Sequence, residues 1–192
     1  MAKTIGDFAE AAAGQHDVLL GPNEPDHMGV SPGAVAAAYK QYLTPARASG
    51  KIKYLTGPAI TNSQSGLSWL KEFMAACSDC KIDALQTHWY GPSMEMFYSQ
   101  LNEIHSAFPS LPVWILEIGF TNWNQATNPS ADQVAGMQQE ALGWLESTSW
   151  IGKYAFFMAG QIDDQNLGSV NALLTGRTAG SSLSAFGAKY VN

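Results

Sequence analysis

The chain reads as an α/β protein of the (β/α) TIM-barrel type, incomplete, with five βα units. Three observations lead there. Apolar, strand-like runs alternate strictly with helical runs along the whole chain. One strand-plus-helix step takes roughly 30 residues, as a βαβ crossover requires. Polar and aromatic residues (Asn23, Glu24, His88, Tyr90 and Glu117) stand at the strand ends, where parallel α/β folds place their chemistry. The alternation alone also fits a doubly wound open sheet. However, no Gly-rich phosphate loop follows the first strand, so a nucleotide-binding sheet loses its usual support.

Each element has its own signal. Thr4 to Ala13 is a helix with Ile5, Phe8, Ala9 and Ala12 on one face, ended by Gly14. Strand one is the buried run Val18–Leu20, which enters the polar turn Gly21-Pro-Asn-Glu-Pro-Asp26. Ser31-Pro32 caps a helix, with proline at its first position. That helix carries Val35, Ala38, Tyr39 and Tyr42 until Gly50 breaks it. Strand two is Lys51–Ile60, and Leu67, Leu70, Phe73 and Met74 mark the next helix. Strand three, Ile82–Tyr90, ends in Gly91-Pro92. Met94–Phe108 is helical, strand four is Val113–Ile118, and Ser130 caps a further helix. Strand five is Tyr154–Met158, and a short helix over Ser182–Tyr190 closes the chain. The strands are nearly continuous apolar runs, so both faces are expected to be covered.

The 192 residues suffice for one domain, 1–192, with a sizeable core. The chain is 46% hydrophobic and 14% charged, which marks it as globular. A net charge of -6 argues against a nucleic-acid footprint. No apolar run approaches the roughly 20 residues of a membrane span. The opening Met1-Ala-Lys-Thr carries no apolar core or cleavage site, so no signal peptide is expected in this chain. Cys77 and Cys80 close a helical stretch rather than open one, which disfavours a redox pair. A local disulfide and two quiet thiols both remain open. His16, His27 and His105 show no metal spacing, so neither metal nor cofactor is expected.

The chemistry rests on two glutamates. A pair of carboxylates, one protonated and one ionised, is the minimum machinery for cleaving a glycosidic bond. Glu24 stands beside Asn23, which can hydrogen-bond a sugar 2-hydroxyl. Glu117 lies between Leu116 and Ile118 inside an apolar strand, where an unused charge is costly. The plain alternative for Glu24 is a helix-capping turn residue. For Glu117 it is an ion pair with Arg47 or Arg177, the only arginines. In period-two geometry His88 and Tyr90 share one face of strand three, where either could hydrogen-bond a carboxylate. Trp89, Trp123 and Tyr90 are candidate stacking surfaces for sugar rings. Trp69, Trp114, Trp144 and Trp150 read as packing residues.

These residues resemble a known family. Asn23-Glu24-Pro25 at one strand end, and a glutamate at the end of the third strand after it, is the pattern of the retaining clan A glycoside hydrolases. The finer resemblance is to glycoside hydrolase family 128, the Asl1-like β-1,3-glucanases. It is carried by Leu-Leu-Gly-Pro-Asn-Glu-Pro-Asp (19–26) with Ser31-Pro32, by 80–91, and by Pro-Val-Trp-Ile-Leu-Glu (112–117). The resemblance implies Glu24 as acid/base, Glu117 as nucleophile, Asn23 near the 2-hydroxyl, and His88 and Tyr90 as their neighbours. It implies that the five units correspond to strands four to eight of an eight-unit barrel. Three further units would then belong to another part of the protein or another chain, or be absent from a reduced form. An open barrel side is expected to favour a homodimer. The activity implied is retaining endo-β-1,3-glucan hydrolysis, with binding of β-1,3-glucan without turnover as the alternative. The location implied is extracellular or cell-wall. The strand-five end departs from the pattern, with Phe157-Met158 where many clan A enzymes have Trp.

Overall fold

The computed structural model of the protein describes residues 5–160, 162, 164–178 and 180–191. The elements run α1 (Ile5–Ala13), β1 (His16–Leu19), α2 (Pro32–Ala38), α3 (Thr44–Ala48), β2 (Ile52–Ile60), α4 (Gly66–Ala76), β3 (Ala84–Gly91), α5 (Met94–Ala107), β4 (Val113–Phe120), α6 (Ala131–Ser147), β5 (Ile151–Tyr154) and α7 (Ala185–Tyr190). The strands follow one another in the sheet in chain order, β1-β2-β3-β4-β5. The β1–β2 and β2–β3 pairs are parallel. Sequential parallel strands joined by helices are the arrangement of the (β/α) barrel class, here represented by five units. Thr4, expected to open α1, lies outside the described residues.

Two compact units divide the chain. The first comprises the chain up to His88 together with Ile104–Trp114. Its core gathers Tyr39, Leu43, Ile52, Leu55, Ile60, Leu70, Phe73 and Leu85, all nearly inaccessible to solvent. Tyr39 packs edge-on to Phe73 at 5.1 Å and donates its hydroxyl to the Thr56 carbonyl at 2.9 Å. A buried polar chain crosses three segments. The Gly21 N–H donates to Thr56 Oγ1 (2.9 Å), and that hydroxyl donates to Gln86 Oε1 (2.9 Å). Beyond β1, the Glu24 N–H donates to the Ala59 carbonyl (2.8 Å) and the Ala59 N–H to that of Pro22 (2.9 Å). The polar turn is thereby carried forward on β2. Gly21 has no side chain because a Cβ there would fall on the Gly57 carbonyl and the Tyr39 hydroxyl.

The second unit comprises Trp89–Glu103 and the chain from Ile115. Phe97 is its aromatic hub, 5.5 Å from Trp89, 5.6 Å from Trp144 and 6.5 Å from Phe120. Helix α6 begins with a capping box. The Gln133 N–H donates to Ser130 Oγ, and the Ser130 N–H donates back to Gln133 Oε1. Helix α7 packs through Phe186, whose ring lies 4.6 Å from that of Phe156.

The structure corrects several expectations. β1 spans His16–Leu19 and is not a buried strand, for Val18 is 42% exposed. It is an edge strand bonded to β2 alone, and its outer positions face water, as the exposed Asp17–Lys53 ion pair does. The final strand is likewise half-covered, so continuous burial holds only for the inner strands. That strand is Ile151–Tyr154 rather than 154–158. Its ladder continues irregularly, with the Ala155 N–H on the Ile115 carbonyl and the Phe157 N–H on that of Ile118. Two residues there oppose three, so the register slips and regular pairing ends. The helix expected to run unbroken to Gly50 contains a wide π turn at Tyr39–Leu43. Pro45 follows it, and its missing N–H and its ring would break a regular α-helical turn. The last helix begins at Ala185, capped by Ser184, rather than at Ser182. Cys77 and Cys80 are joined in a disulfide, which settles the two open readings.

Asp83 ties α3 to the sheet. It takes a two-pronged contact from Arg47 (2.8 and 2.9 Å) and the Leu55 N–H (2.8 Å). Burial alone would raise its pKa, but these hydrogen bonds and the guanidinium charge outweigh it and hold the carboxyl below its ordinary value. A lowered folded-state pKa stabilises the fold above the unfolded value and stops doing so as pH falls through the folded one. Asp83→Asn is therefore expected to cost about 1–2 kcal/mol at neutral pH, the lower range for charged hydrogen bonds because the pair is partly exposed. In urea unfolding, the gap between parent and variant should begin to narrow below about pH 4 and close as pH falls through the lowered folded-state value.

Candidate active site

The site residues are placed by two backbone devices. In the first unit, Asn23 bridges to Ala59, and the two hydrogen bonds around Ala59 pin Glu24 to the end of β2. Glu24 adopts a left-handed φ of 44°, uncommon outside glycine and found where a surrounding structure holds it. Its carbonyl accepts the N–H groups of His27 (3.1 Å) and Met28 (3.0 Å). Ser31, not Glu24, caps α2, so the helix-capping explanation of Glu24 does not apply. The carboxylate instead meets His88 at the end of β3, with Nδ1 to Oε1 at 2.8 Å. His88 is 1% exposed in its side chain and Glu24 21%. A ring N–H can donate to the carboxylate, or a carboxyl proton to the ring, so the pair can share one proton.

In the second unit, Glu117 on β4 accepts the Tyr90 hydroxyl at 2.7 Å. Gly119 allows that contact, since a Cβ there would sit 2.8 Å from the Tyr90 ring. The tyrosine can thus lie against β4 and reach the carboxylate two residues earlier. Arg47, one partner considered for Glu117, directs Nε and Nη2 to Asp83. Around Tyr90 stand Trp123, tilted at 5.3 Å, and Phe157, edge-on at 5.8 Å. Trp123 is 52% exposed. Met158, beside Phe157, is 38% exposed.

Trp89 is a correction. It was expected among the sugar-stacking residues, but it is 1% exposed and packs on Phe97. Alternation along β3 sends it to the side opposite His88 and Tyr90, leaving no ring face open. Asn23 does sit at the turn, and its Oδ1 is buried without a hydrogen-bond partner among the described residues. Native proteins rarely leave such atoms unpaired away from a ligand site. Trp114 and Trp144 pack as expected, Trp114 stacked on Tyr54 at 5.1 Å.

Sequence reasoning gave no role to Asp26. Its carboxylate takes the Thr61 N–H at 3.2 Å and the Thr61 hydroxyl at 2.5 Å, closing the turn that begins at Asn23. The signal was in the motif: an aspartate shortly after a proline is a turn-bonding residue.

Comparison with known proteins agrees with this geometry. The sequence profile of the family described as glycosyl hydrolase catalytic core matches residues 1–190. The alkali-sensitive linkage protein 1 of Schizosaccharomyces pombe is 39% identical over 161 residues, covering 82% of this chain. The chain spans about a third of that relative's length, with 30% of it aligned. A family 128 (subgroup VI) exo-β-1,3-glucanase from Aureobasidium namibiae superposes with a TM-score of 0.81 at 24% identity, covering 96% of this chain and 71% of that one. A subgroup IV endo-β-1,3-glucanase from Lentinula edodes gives 0.75 at 27% identity, covering 90% and 68%. The fold is that of the incomplete (β/α) barrel type. The chain belongs to the glycosyl hydrolase catalytic core family and, within it, to glycoside hydrolase family 128.

The opposite roles of the two tryptophans are open to test. Trp89→Ala is expected to destabilise the protein by about 3–5 kcal/mol, as truncation of a buried aromatic does. Denaturant unfolding monitored by far-UV circular dichroism would check it. Loss below 1 kcal/mol would mean the indole is not the packing residue described.

Proposed function

We propose that the chain is a retaining, endo-acting β-1,3-glucan hydrolase. One observation carries the reading. Each glutamate is hydrogen-bonded by a residue near the end of β3, Glu24 by His88 and Glu117 by Tyr90. Those two residues are two apart on one strand, so period-two geometry directs both to one side. A pair of carboxylates is the elementary requirement for glycoside cleavage.

The two have different surroundings and accordingly different roles. Glu117 is set in β4 with its carboxylate oriented by the tyrosine hydroxyl, as suits a nucleophile. Its oxygen attacks the anomeric carbon, the glycosidic C–O bond breaks, and Glu24 delivers its proton to the leaving oxygen. Water then enters, gives a proton to Glu24, and attacks the same carbon, and the bond to Glu117 breaks with net retention. His88 suits the alternation at Glu24, since a proton-sharing partner serves both the acid and the base form. The unpaired Asn23 Oδ1 would accept a sugar hydroxyl, and the exposed indole of Trp123 would stack on a glucosyl ring. The Lentinula relative, a β-1,3-glucanase, supports the substrate class. A glucan of this kind is a wall polymer, so we place the substrate outside the cell. Among the described residues no helix is long and apolar enough to cross a membrane.

Laminarin and defined β-1,3-oligosaccharides are the substrates to use. The parent should release a ladder of oligosaccharides, and a β-configured product should form first in proton NMR. Glu117→Ala and Glu24→Gln should each lose about 10³-fold or more in kcat, with oligosaccharide binding kept. Glucose as the sole product would replace endo by exo action. An α-configured first product would replace retention by inversion. Binding without release by the parent would make the chain a glucan-binding protein.

A further inference from the structure

Trp123 presents a problem in conformational energy. A bulky aromatic residue rarely adopts a left-handed backbone, yet its φ is 60°. It also gains little from burial, being 52% exposed. Something else must hold it. The segment between β4 and α6 is laced by side-chain amides and one hydroxyl. Thr121 Oγ1 accepts the Trp123 N–H at 3.0 Å. Asn122 Oδ1 accepts the Asn124 N–H at 2.9 Å, and Asn122 Nδ2 donates to Thr127 Oγ1 at 2.8 Å. Asn128 is the junction of this lacing. Its Oδ1 accepts the Asn122 N–H at 2.8 Å and lies 3.0 Å from the Thr121 hydroxyl. Its Nδ2 donates to the carbonyl of Asn166, in the loop that follows β5. The Asn122 N–H can only donate, so the orientation of the Asn128 amide is fixed by its partners.

The Thr121 hydroxyl also reaches the Asn166 carbonyl at 2.8 Å, and Gln125 Nε2 donates to Gln165 Oε1 at 2.8 Å. Two loops are thus joined through Asn128 and its neighbours. Their product is an indole held open to solvent against the ring of Tyr90, the tyrosine that donates to Glu117.

We propose that Asn128 is a positioning residue for glucan binding. It locks the β4–α6 loop to the β5–α7 loop and thereby holds Trp123 as a preorganised stacking platform for a glucosyl ring beside the Tyr90–Glu117 pair. This rests on the proposed β-1,3-glucan substrate. Asn128 does not touch the sugar. It removes the cost of ordering the platform when the sugar arrives.

The test uses binding as well as turnover, so failure of the catalytic reading and failure of this one are distinguishable. In a Glu117→Ala background, laminari-oligosaccharide affinity is read from tryptophan fluorescence and by calorimetry. Adding Asn128→Ala, or Asn128→Asp, which keeps the acceptor and loses the donor, should weaken affinity about tenfold. Adding Trp123→Ala should weaken it at least as much. Combining Trp123→Ala with Asn128→Ala should cost no more than Trp123→Ala alone, because the brace acts only through the indole. In the otherwise parental enzyme, Asn128→Asp should raise KM with kcat changed less than threefold. Additive losses in the double variant would overturn the proposal. So would an unchanged affinity in Asn128→Asp, or an oligosaccharide that does not bind the Glu117→Ala protein at all.

Discussion

The side-chain alternation of β3 is the constraint on which the site depends. Along Thr87-His88-Trp89-Tyr90, successive side chains point to opposite faces of the strand. Trp89 is sent among the aromatic residues around Phe97, while His88 and Tyr90 go the other way, each to a glutamate. A one-residue slip of β3 would exchange these sets. It would bury two polar side chains against Phe97 and expose an indole. The core and the chemistry therefore specify the same register. The buried Thr56–Gln86 hydrogen bond strengthens that choice, since a slipped Gln86 would leave its amide unpaired in an apolar layer. One anchor is apolar and the other polar, and both act on the strand that carries His88 and Tyr90.

The sheet also spends conformational strain where the chemistry needs it. Between Thr56 and Ala59 on β2 three residues are set against two on β3, from Ala84 to Gln86. The extra residue falls at Gly57-Pro58, and proline has no N–H to lose from the ladder. Past this bulge, Ala59 pairs with Gln86 of β3 on one side and with the Pro22–Glu24 turn on the other. The two hydrogen bonds to Ala59 hold the turn in which Glu24 takes its left-handed conformation. Asp26 closes the turn through Thr61. None of these bonds touches a substrate, but each narrows the positions the Glu24 carboxylate can take. In the proposed mechanism, preorganisation of this kind lowers the reorganisation cost of the acid/base step.

Much of this was legible in the sequence. The inner strands and the capped helices announced themselves by apolar runs and by Ser31-Pro32 and Ser130, and they lie within a few residues of their expected bounds. Both glutamates, with His88 and Tyr90, were expected at strand ends, and the structure finds each in a hydrogen bond to one of the others. The errors have physical causes. Val18 belongs to an apolar run, but apolarity does not report whether a strand has neighbours on both sides. Trp89 was judged by its residue type, although the period-two rule used for its neighbours already sent it inward. Register slippage after Tyr154 and the π turn before Pro45 arise from tertiary pairing and local sterics, which no hydrophobic pattern encodes. Asn122, Asn124 and Asn128 carry no pattern of their own in the sequence. Their role lies in which backbone groups they satisfy, and that depends on a second loop 38 residues away at Asn166.

The contrast between the two glutamates bears on how the proposed mechanism divides labour. A nucleophile forms and breaks one bond along one line, so it gains from a fixed carboxylate. Glu117 has that: strand backbone on both sides, a phenol hydrogen bond, and a missing side chain at Gly119 that lets the phenol approach. An acid/base must lose and regain a proton toward different oxygens in the two steps, so it needs a partner that tolerates both charge states. A carboxylate partner would repel the anion, and a lysine or arginine would oppose protonation. Imidazole can act as donor or acceptor at the same nitrogen. Burial of His88 also keeps bulk water from competing for that contact. The pairing of histidine with the turn glutamate and tyrosine with the strand glutamate thus suits the role that the proposed mechanism gives each carboxylate.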